Sequence, residues 1–196
     1  TAAPLPNGIT KIAPFPDTPF CLQTGLTPSN GSQIRTGACS STPQGQIPSI
    51  DHMVSTLITS PENDATLDAS KDINITIDNR NLNTGFFDNA ESQYYIVPQT
   101  LGDNGNIQGH QHVTVQSLLS TGSAPDPRVF AFFKGLNAVA VGGRTLAVTI
   151  PGGTITVDGP TRICTMTGSD GHAPAIMPVA QRGSQDDCIR VTIINA

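Results

Sequence analysis

The chain has 196 residues, enough for one domain with its own core, and its ten Lys and Arg against fifteen Asp and Glu leave a formal net charge of −5. No basic run exists, which excludes a nucleic-acid role built on clustered cations, and no apolar stretch approaches the roughly 20 residues that cross a bilayer. Charged residues are only 13%, about half the usual share, and Ser, Thr, Asn and Gln carry the polarity instead, a habit of extracellular proteins.

Residues 1–50 hold Pro4, Pro6, Pro14, Pro16, Pro19, Pro28, Pro43 and Pro48 and show little periodicity. Proline fixes φ and removes an amide donor, so this stretch reads as an extended arm rather than regular structure. The opening Thr1-Ala2-Ala3-Pro4 reads as a processed terminus of a secreted chain. Four cysteines, Cys21, Cys39, Cys164 and Cys188, match no zinc-finger or CxxC spacing and imply two disulfides. Three pairings are open; proximity in the chain favours Cys21–Cys39 and Cys164–Cys188, the first pinning the arm. Two sequons, at Asn30 and Asn74, mark glycosylation sites on the same secretory route.

From residue 51 to 196 the pattern changes to short alternating segments broken by turns, the expected β-domain. Val54–Thr59 precedes a turn at Ser60–Asp64, and Ile73, Ile75 and Ile77 alternate with Asn74 and Thr76 across the strand Asp72–Asp78. Gln93–Val97 is the next candidate strand, followed by an Asn104-Gly105 turn. Ile107–Leu118, Arg128–Phe133, Arg144–Ile150, Thr154–Val157, Arg162–Thr167 and Cys188–Ile194 follow, with a hairpin at Pro151-Gly152-Gly153 and a short helix over Lys134–Ala140. Many short strands with frequent turns predict an all-β, antiparallel β-sandwich of immunoglobulin-like or jelly-roll type, with the Pro-rich arm outside it.

The feature richest in chemistry is Gly109-His110-Gln111-His112-Val113. On a strand, residues two apart share a face, so two imidazoles project together, here with Gln108, Thr114 and Gln116, opposite Ile107, Val113 and Val115. That polar face is expected to be open to solvent or ligand. A metal needs three or four ligands, so His52 and His172 are the recruits for a copper or zinc site; otherwise the pair is a hydrogen-bonded polar patch. The acidic pair Asp186-Asp187 reads as a turn or a calcium ligand, and Phe86-Phe87 as core plugs beside a turn. No Gly-x-Ser-x-Gly elbow or P-loop is present. With no Trp, and with Tyr94 and Tyr95 adjacent and so expected on opposite faces of a strand, a crystalline-polysaccharide platform is not expected.

Thr84-Gly85-Phe86-Phe87, Gly109–Gln116 (GHQHVTVQ) and Met177–Asp187 (MPVAQRGSQDD) resemble a group of small secreted proteins of filamentous fungi for which no activity is established. The resemblance runs from about residue 50 to the end and implies a fungal, extracellular setting without supplying a mechanism. The sequence thus leads to a non-catalytic extracellular protein of the wall, matrix or host contact, with cell-wall or matrix glycans or proteins as partners. A metal-binding protein or metalloenzyme using His110 and His112 is the alternative, and a soluble-glycan-binding module the second.

Overall fold

The computed structural model describes residues 19–196. A short helix α1 (Pro19–Thr24) and a single 3-10 turn (Ile50–His52) bracket an irregular segment. Nine strands follow: β1 (Ser55–Ser60), β2 (Thr66–Asp68), β3 (Ile73–Arg80), β4 (Leu82–Asn83), β5 (Ile107–Ser117), β6 (Phe132–Leu136), β7 (Thr145–Ile150), β8 (Gly159–Ser169) and β9 (Cys188–Ile194). They form two sheets. One is the antiparallel trio β1-β3-β7; the other runs β2-β9-β8-β5-β4, with β6 also paired to β5.

The main core lies between these sheets. From the smaller sheet come Ile73, Ile75, Ile77, Leu146 and Ile150, and from the larger Val113, Val115, Ile163, Ile189, Val191 and Ile193. Val148 packs against this cluster from a half-buried position. On β3 the strict alternation buries the isoleucines and exposes Asn74, the outcome expected of a β-branched strand with one wet face. The fold is all-β and sandwich-like. Two parallel pairings, β2 with β9 and β4 with β5, depart from a purely antiparallel arrangement.

The disulfides join Cys21 to Cys39 and Cys164 to Cys188. Cys164 and Cys188 are directly opposite across β8 and β9, with Cα atoms 4.1 Å apart, so the bridge fastens the last strand to its neighbour. The described part of the Pro-rich stretch lies along the domain through backbone bonds. Tyr94 N–H donates to Gly31 C=O (2.8 Å), Gln46 N–H to Gln99 C=O (2.8 Å) and Gln99 N–H to Gln44 C=O (3.1 Å). Gly31 and Gly45 have φ near +95°, and a Cβ at either would collide with the Ser92 or Gln99 carbonyl, so only glycine allows this approach. The prolines before residue 19 fall outside the described residues.

Several sequence expectations give way to tertiary demands. Gln93–Val97 is not a strand: Tyr94 makes one bridge to Gly31, and Tyr95 takes a left-handed φ of 58°. Thr154–Val157 has no ladder partner, although Ile155 is buried, so Pro151-Gly152-Gly153 closes no hairpin; Gly153 N–H donates instead to Ala69 C=O. Arg128 sits in a turn ion-paired to Asp126, and the strand begins four residues later at Phe132. That shift also removes the helix expected over Lys134–Ala140, because the edge of β5 takes Phe132–Leu136 as its partner. Cross-strand packing overrides local propensity in such short segments. Among the described residues no helix is long and apolar enough to cross a membrane.

Candidate metal centre

β5 is an interior strand of the larger sheet, with β8 on one edge and β4 then β6 on the other. Its pleat sends Gln111, Val113 and Val115 towards the core and His110 and His112 to the outer face. Register decides their neighbours. Gly168 of β8 lies opposite His110, while Met166 of β8 and Gly135 of β6 flank His112. A Cβ on Gly168 would lie 3.7 Å from His110 Cε1 and Nε2, so any larger side chain there would occupy the space beside the imidazole. The third histidine comes from the turn after β8: His172 has φ 70° and its N–H donates to Ser169 C=O, folding the ring back over the sheet.

His110, His112 and His172 therefore converge, with one ring nitrogen from each lying within 4.8 Å of the others. Each ring is tethered through its other nitrogen to a backbone carbonyl. His110 Nδ1–H donates to Phe86 O (3.1 Å), His112 Nδ1–H to Met166 O (3.2 Å) and His172 Nε2–H to Asp88 O (2.7 Å). A carbonyl only accepts, so these bonds fix the tautomers and leave His110 Nε2, His112 Nε2 and His172 Nδ1 as lone-pair donors. His110 Nε2 is fully buried without a hydrogen-bond partner. An imidazole held by one N–H, with its other nitrogen unprotonated, is the arrangement that metal-ligating histidines adopt.

The electrostatics favour neutral rings. Burial, and then the nearby His112 and His172, push His110 down to about 3. Burial also lowers His112 and His172, against the opposing pull of the Met166 and Asp88 carbonyls. Neutral imidazole is the form that binds metal, and three such donors suit zinc or copper. Tetrahedral zinc with bonds of about 2.0–2.1 Å sets its nitrogens about 3.3 Å apart. The ring nitrogens lie up to 4.8 Å apart, so an ion would have to draw the rings inward.

The outer face is not the open polar surface that alternation suggested. His110 is fully buried, because the 86–95 and 170–174 segments lie over it. Phe87 is not a core plug but stands edge-on to both His110 and His172, with centroids 5.2 and 5.1 Å away. His52 is not in the cluster; its Nδ1 lies 2.7 Å from Asn106 Oδ1, beside the Asp103–Asn106 turn. The acidic pair divides. Asp187 Oδ2 accepts the Ile58 N–H (2.8 Å), whereas Asp186 Oδ1 accepts Thr167 N–H (2.7 Å) and Oγ–H (2.8 Å), and the Asp186 charge acts on His112 against the effect of burial. Asp88, whose carbonyl tethers His172, has a buried carboxyl that desolvation pushes up to about 6. Both sequon asparagines are exposed.

Sequence reasoning missed the carbonyl tethers and the aromatic surround, since no local pattern marks which loop carbonyl meets which ring. Tyr94 and Tyr95 stack at 4.2 Å, Tyr94 continues onto His172, and Phe133 stacks on His112. Burial, and then Tyr95, push the Tyr94 phenol up to about 12, so it remains neutral. A cavity of about 670 Å³ opens against His112 and His172 between these rings.

The family model of the CLU5d N-terminal domain matches residues 56–194, which takes in all of the nine strands except Ser55 at the start of β1, and all three clustered histidines. The chain belongs to the CLU5d N-terminal domain family. It is 42% identical over 177 residues to Pathogenicity cluster 5 protein d of Colletotrichum graminicola, an alignment that covers 89% of this chain and 36% of that protein. This CLU5d domain thus spans about a third of the length of its curated relative. Among solved structures, a β-glucosidase from Listeria innocua in complex with glucose aligns with a TM-score of 0.30 and 13% identity, over 71% of this chain and 16% of that one. A likeness that slight bears on neither fold nor chemistry.

Proposed function

We propose that this CLU5d N-terminal domain is an extracellular module that holds one divalent transition metal, zinc or copper, on His110, His112 and His172. The observation that carries the reading is the buried, unpartnered Nε2 of His110, facing two further neutral imidazoles that are tethered in the same way. An orphaned buried acceptor costs about 1–3 kcal/mol, and coordination would recover that cost. The two disulfides favour an oxidising compartment, and the fungal relative's place in a pathogenicity cluster supports a role at host contact or in the fungal wall or matrix. Whether catalytic or not, the domain offers the metal three protein ligands and leaves further positions towards the cavity, the pattern of an open rather than a purely structural site.

Calorimetric titration of chelator-stripped protein with zinc and with copper tests the proposal. One ion per chain is expected for the wild type and none for His110→Ala or His172→Ala, while His52→Ala behaves as the wild type. Equal weak heats from all four proteins would mean that the three rings form only a polar cluster.

A further inference from the structure

The outer face of the larger sheet carries a second row of polar side chains, at the end of β5 away from the histidines. Register sets Gln116 of β5 opposite Arg162 of β8, and Arg162 opposite Arg190 of β9. The pleat turns all three outward, since their neighbours Val115, Ile163, Ile189 and Val191 fill the core. Directly opposed residues on antiparallel strands hold their Cβ atoms roughly 4.5–5.5 Å apart, and like charges placed so repel. No carboxylate answers these two. The ion pairs among the described residues are Lys71–Asp68, Arg128–Asp126 and Arg144–Asp78, so Asp126, on the loop that follows β5, is taken up by Arg128. Of the acids beside Arg190, Asp64 accepts from Asn63 Nδ2 and Asp187 from the Ile58 N–H of the facing sheet.

Arg162 is not free to swing away. Its Nε–H and Nη2–H both donate to Gln116 Oε1 (3.0 and 2.7 Å). Gln116 is itself buried and anchored through Nε2–H to Asp126 O (3.2 Å) and Val129 O (2.9 Å). A neutral acceptor orients the guanidinium without cancelling its charge. Beside the row lies a cavity of about 250 Å³, lined by Arg162, Arg190 and the hydroxyl residues Ser120, Thr121 and Ser123, and by no carboxylate. Ser120 Oγ accepts the Gly122 N–H (3.2 Å), which leaves its O–H to donate. We propose that this cavity, independently of the metal, binds the phosphate group of a phosphate monoester, with Arg162 and Arg190 paired to its oxygens and the loop hydroxyls donating to the rest. Two uncompensated cations call for an anion rather than a neutral sugar. A carboxylate brings one charge and two oxygens, which a single guanidinium fork satisfies, and would leave the second arginine unanswered. A phosphate monoester brings close to two charges and three acceptor oxygens. The cavity is smaller than the roughly 300–1,000 Å³ of drug-sized sites, which suits a head group whose remainder extends into solvent over the exposed 119–124 loop.

The test follows the amide and arginine Nε–H resonances of isotope-labelled protein as glycerol 3-phosphate, and separately inorganic phosphate, is added near neutral pH, with chloride holding the ionic strength constant. Saturable one-to-one binding in the millimolar range is expected for both probes, with shifts centred on Gly122, Arg162 and Arg190; acetate should give none. Arg190→Gln and Arg162→Gln should each bind about tenfold more weakly or worse, the order of one lost charge-assisted hydrogen bond. Arg162→Lys, which keeps the charge and loses the fork held by Gln116, should fall between them and the wild type. Arg80→Gln removes the same charge from the facing sheet and should bind as the wild type does. Arg190 is exposed and bonded only through its backbone, so its variant decides the matter should those at Arg162 fail to fold. Acetate binding as tightly as phosphate, unchanged affinity in Arg190→Gln, equal weakening by Arg80→Gln, or shifts centred on the histidines would each overturn the assignment. Binding of inorganic phosphate without glycerol 3-phosphate would overturn the ester as ligand.

Discussion

β3 and β5 look alike as text and behave differently as structure. Both alternate β-branched and polar residues, and both turn one row of side chains to the core. On β3 the other row stays wet: Asn74 is exposed, with its Oδ1 accepting from Thr149 Oγ1 on the sheet surface. On β5 the other row is roofed by the 86–95 and 170–174 segments, so that His110 is as buried as Val113. Alternation therefore reports which residues share a face and says nothing about whether that face meets water. A histidine on the outer side of β3 would be a solvated base. On β5 it becomes a neutral imidazole with its lone pair enclosed.

The contrast can be broken most severely at the core face of β3. Ile75→Ala should cost about 2–5 kcal/mol, because a fully buried isoleucine leaves a cavity between the sheets, and the urea midpoint should fall accordingly. A smaller and more local break lies at Gly109, where a Cβ would strike the Gly168 carbonyl across the β5–β8 ladder. Gly109→Ala should cost about 1–3 kcal/mol as the strands part beside His110. It should also weaken zinc binding, with calorimetry and thermal unfolding reporting the two effects separately.

Acid sharpens the comparison through titration. In the metal-free protein, burial lowers the folded pKa of His110 from 6.5 to about 3, so the unfolded chain binds more protons between those values. The stability from the neutral buried ring is complete above the unfolded value and is lost as pH falls below it. Asp88 acts in the opposite sense: its folded pKa, raised from 3.8 to about 6, adds stability as pH falls through 6. Removing that opposing group with Asp88→Asn should therefore expose the histidine term, a loss of about 2 kcal/mol for His110 between about pH 6.5 and about pH 5. A flat stability profile for that variant over this range would contradict a neutral, buried His110. In the wild type the proposed metal site should hold zinc somewhat below the ordinary histidine pKa, because all three imidazoles are shifted downwards. The smallest effect belongs to the wet face of β3, where Asn74→Gln should change stability by no more than about 0.5 kcal/mol.

Parts of the site were legible without coordinates. The spacing of His110 and His112 placed them on one face, and four histidines in all left few recruits. The choice between His52 and His172 was not legible. His52 is set by an Asn106 contact at the Asp103–Asn106 turn, and His172 by a left-handed residue in the turn after β8; both arrangements arise from long-range packing. A strand over 93–97 puts Tyr94 and Tyr95 on opposite faces. The positive φ of Tyr95 removes that alternation and allows the rings to stack.

By itself the sequence determined the class of fold, the core faces of β3, β5, β7 and β9, and the pairing of two histidines, because period-two patterning and chain proximity are local properties that survive any topology. Tertiary structure alone decided that β6 rather than a helix closes the edge of β5, that glycines at 135 and 168 flank the imidazoles, and that three carbonyls from separate segments orient them. Those outcomes depend on register and on which loop covers which face. Both are fixed by the summed packing of residues far apart in the chain, so no window of sequence contains them.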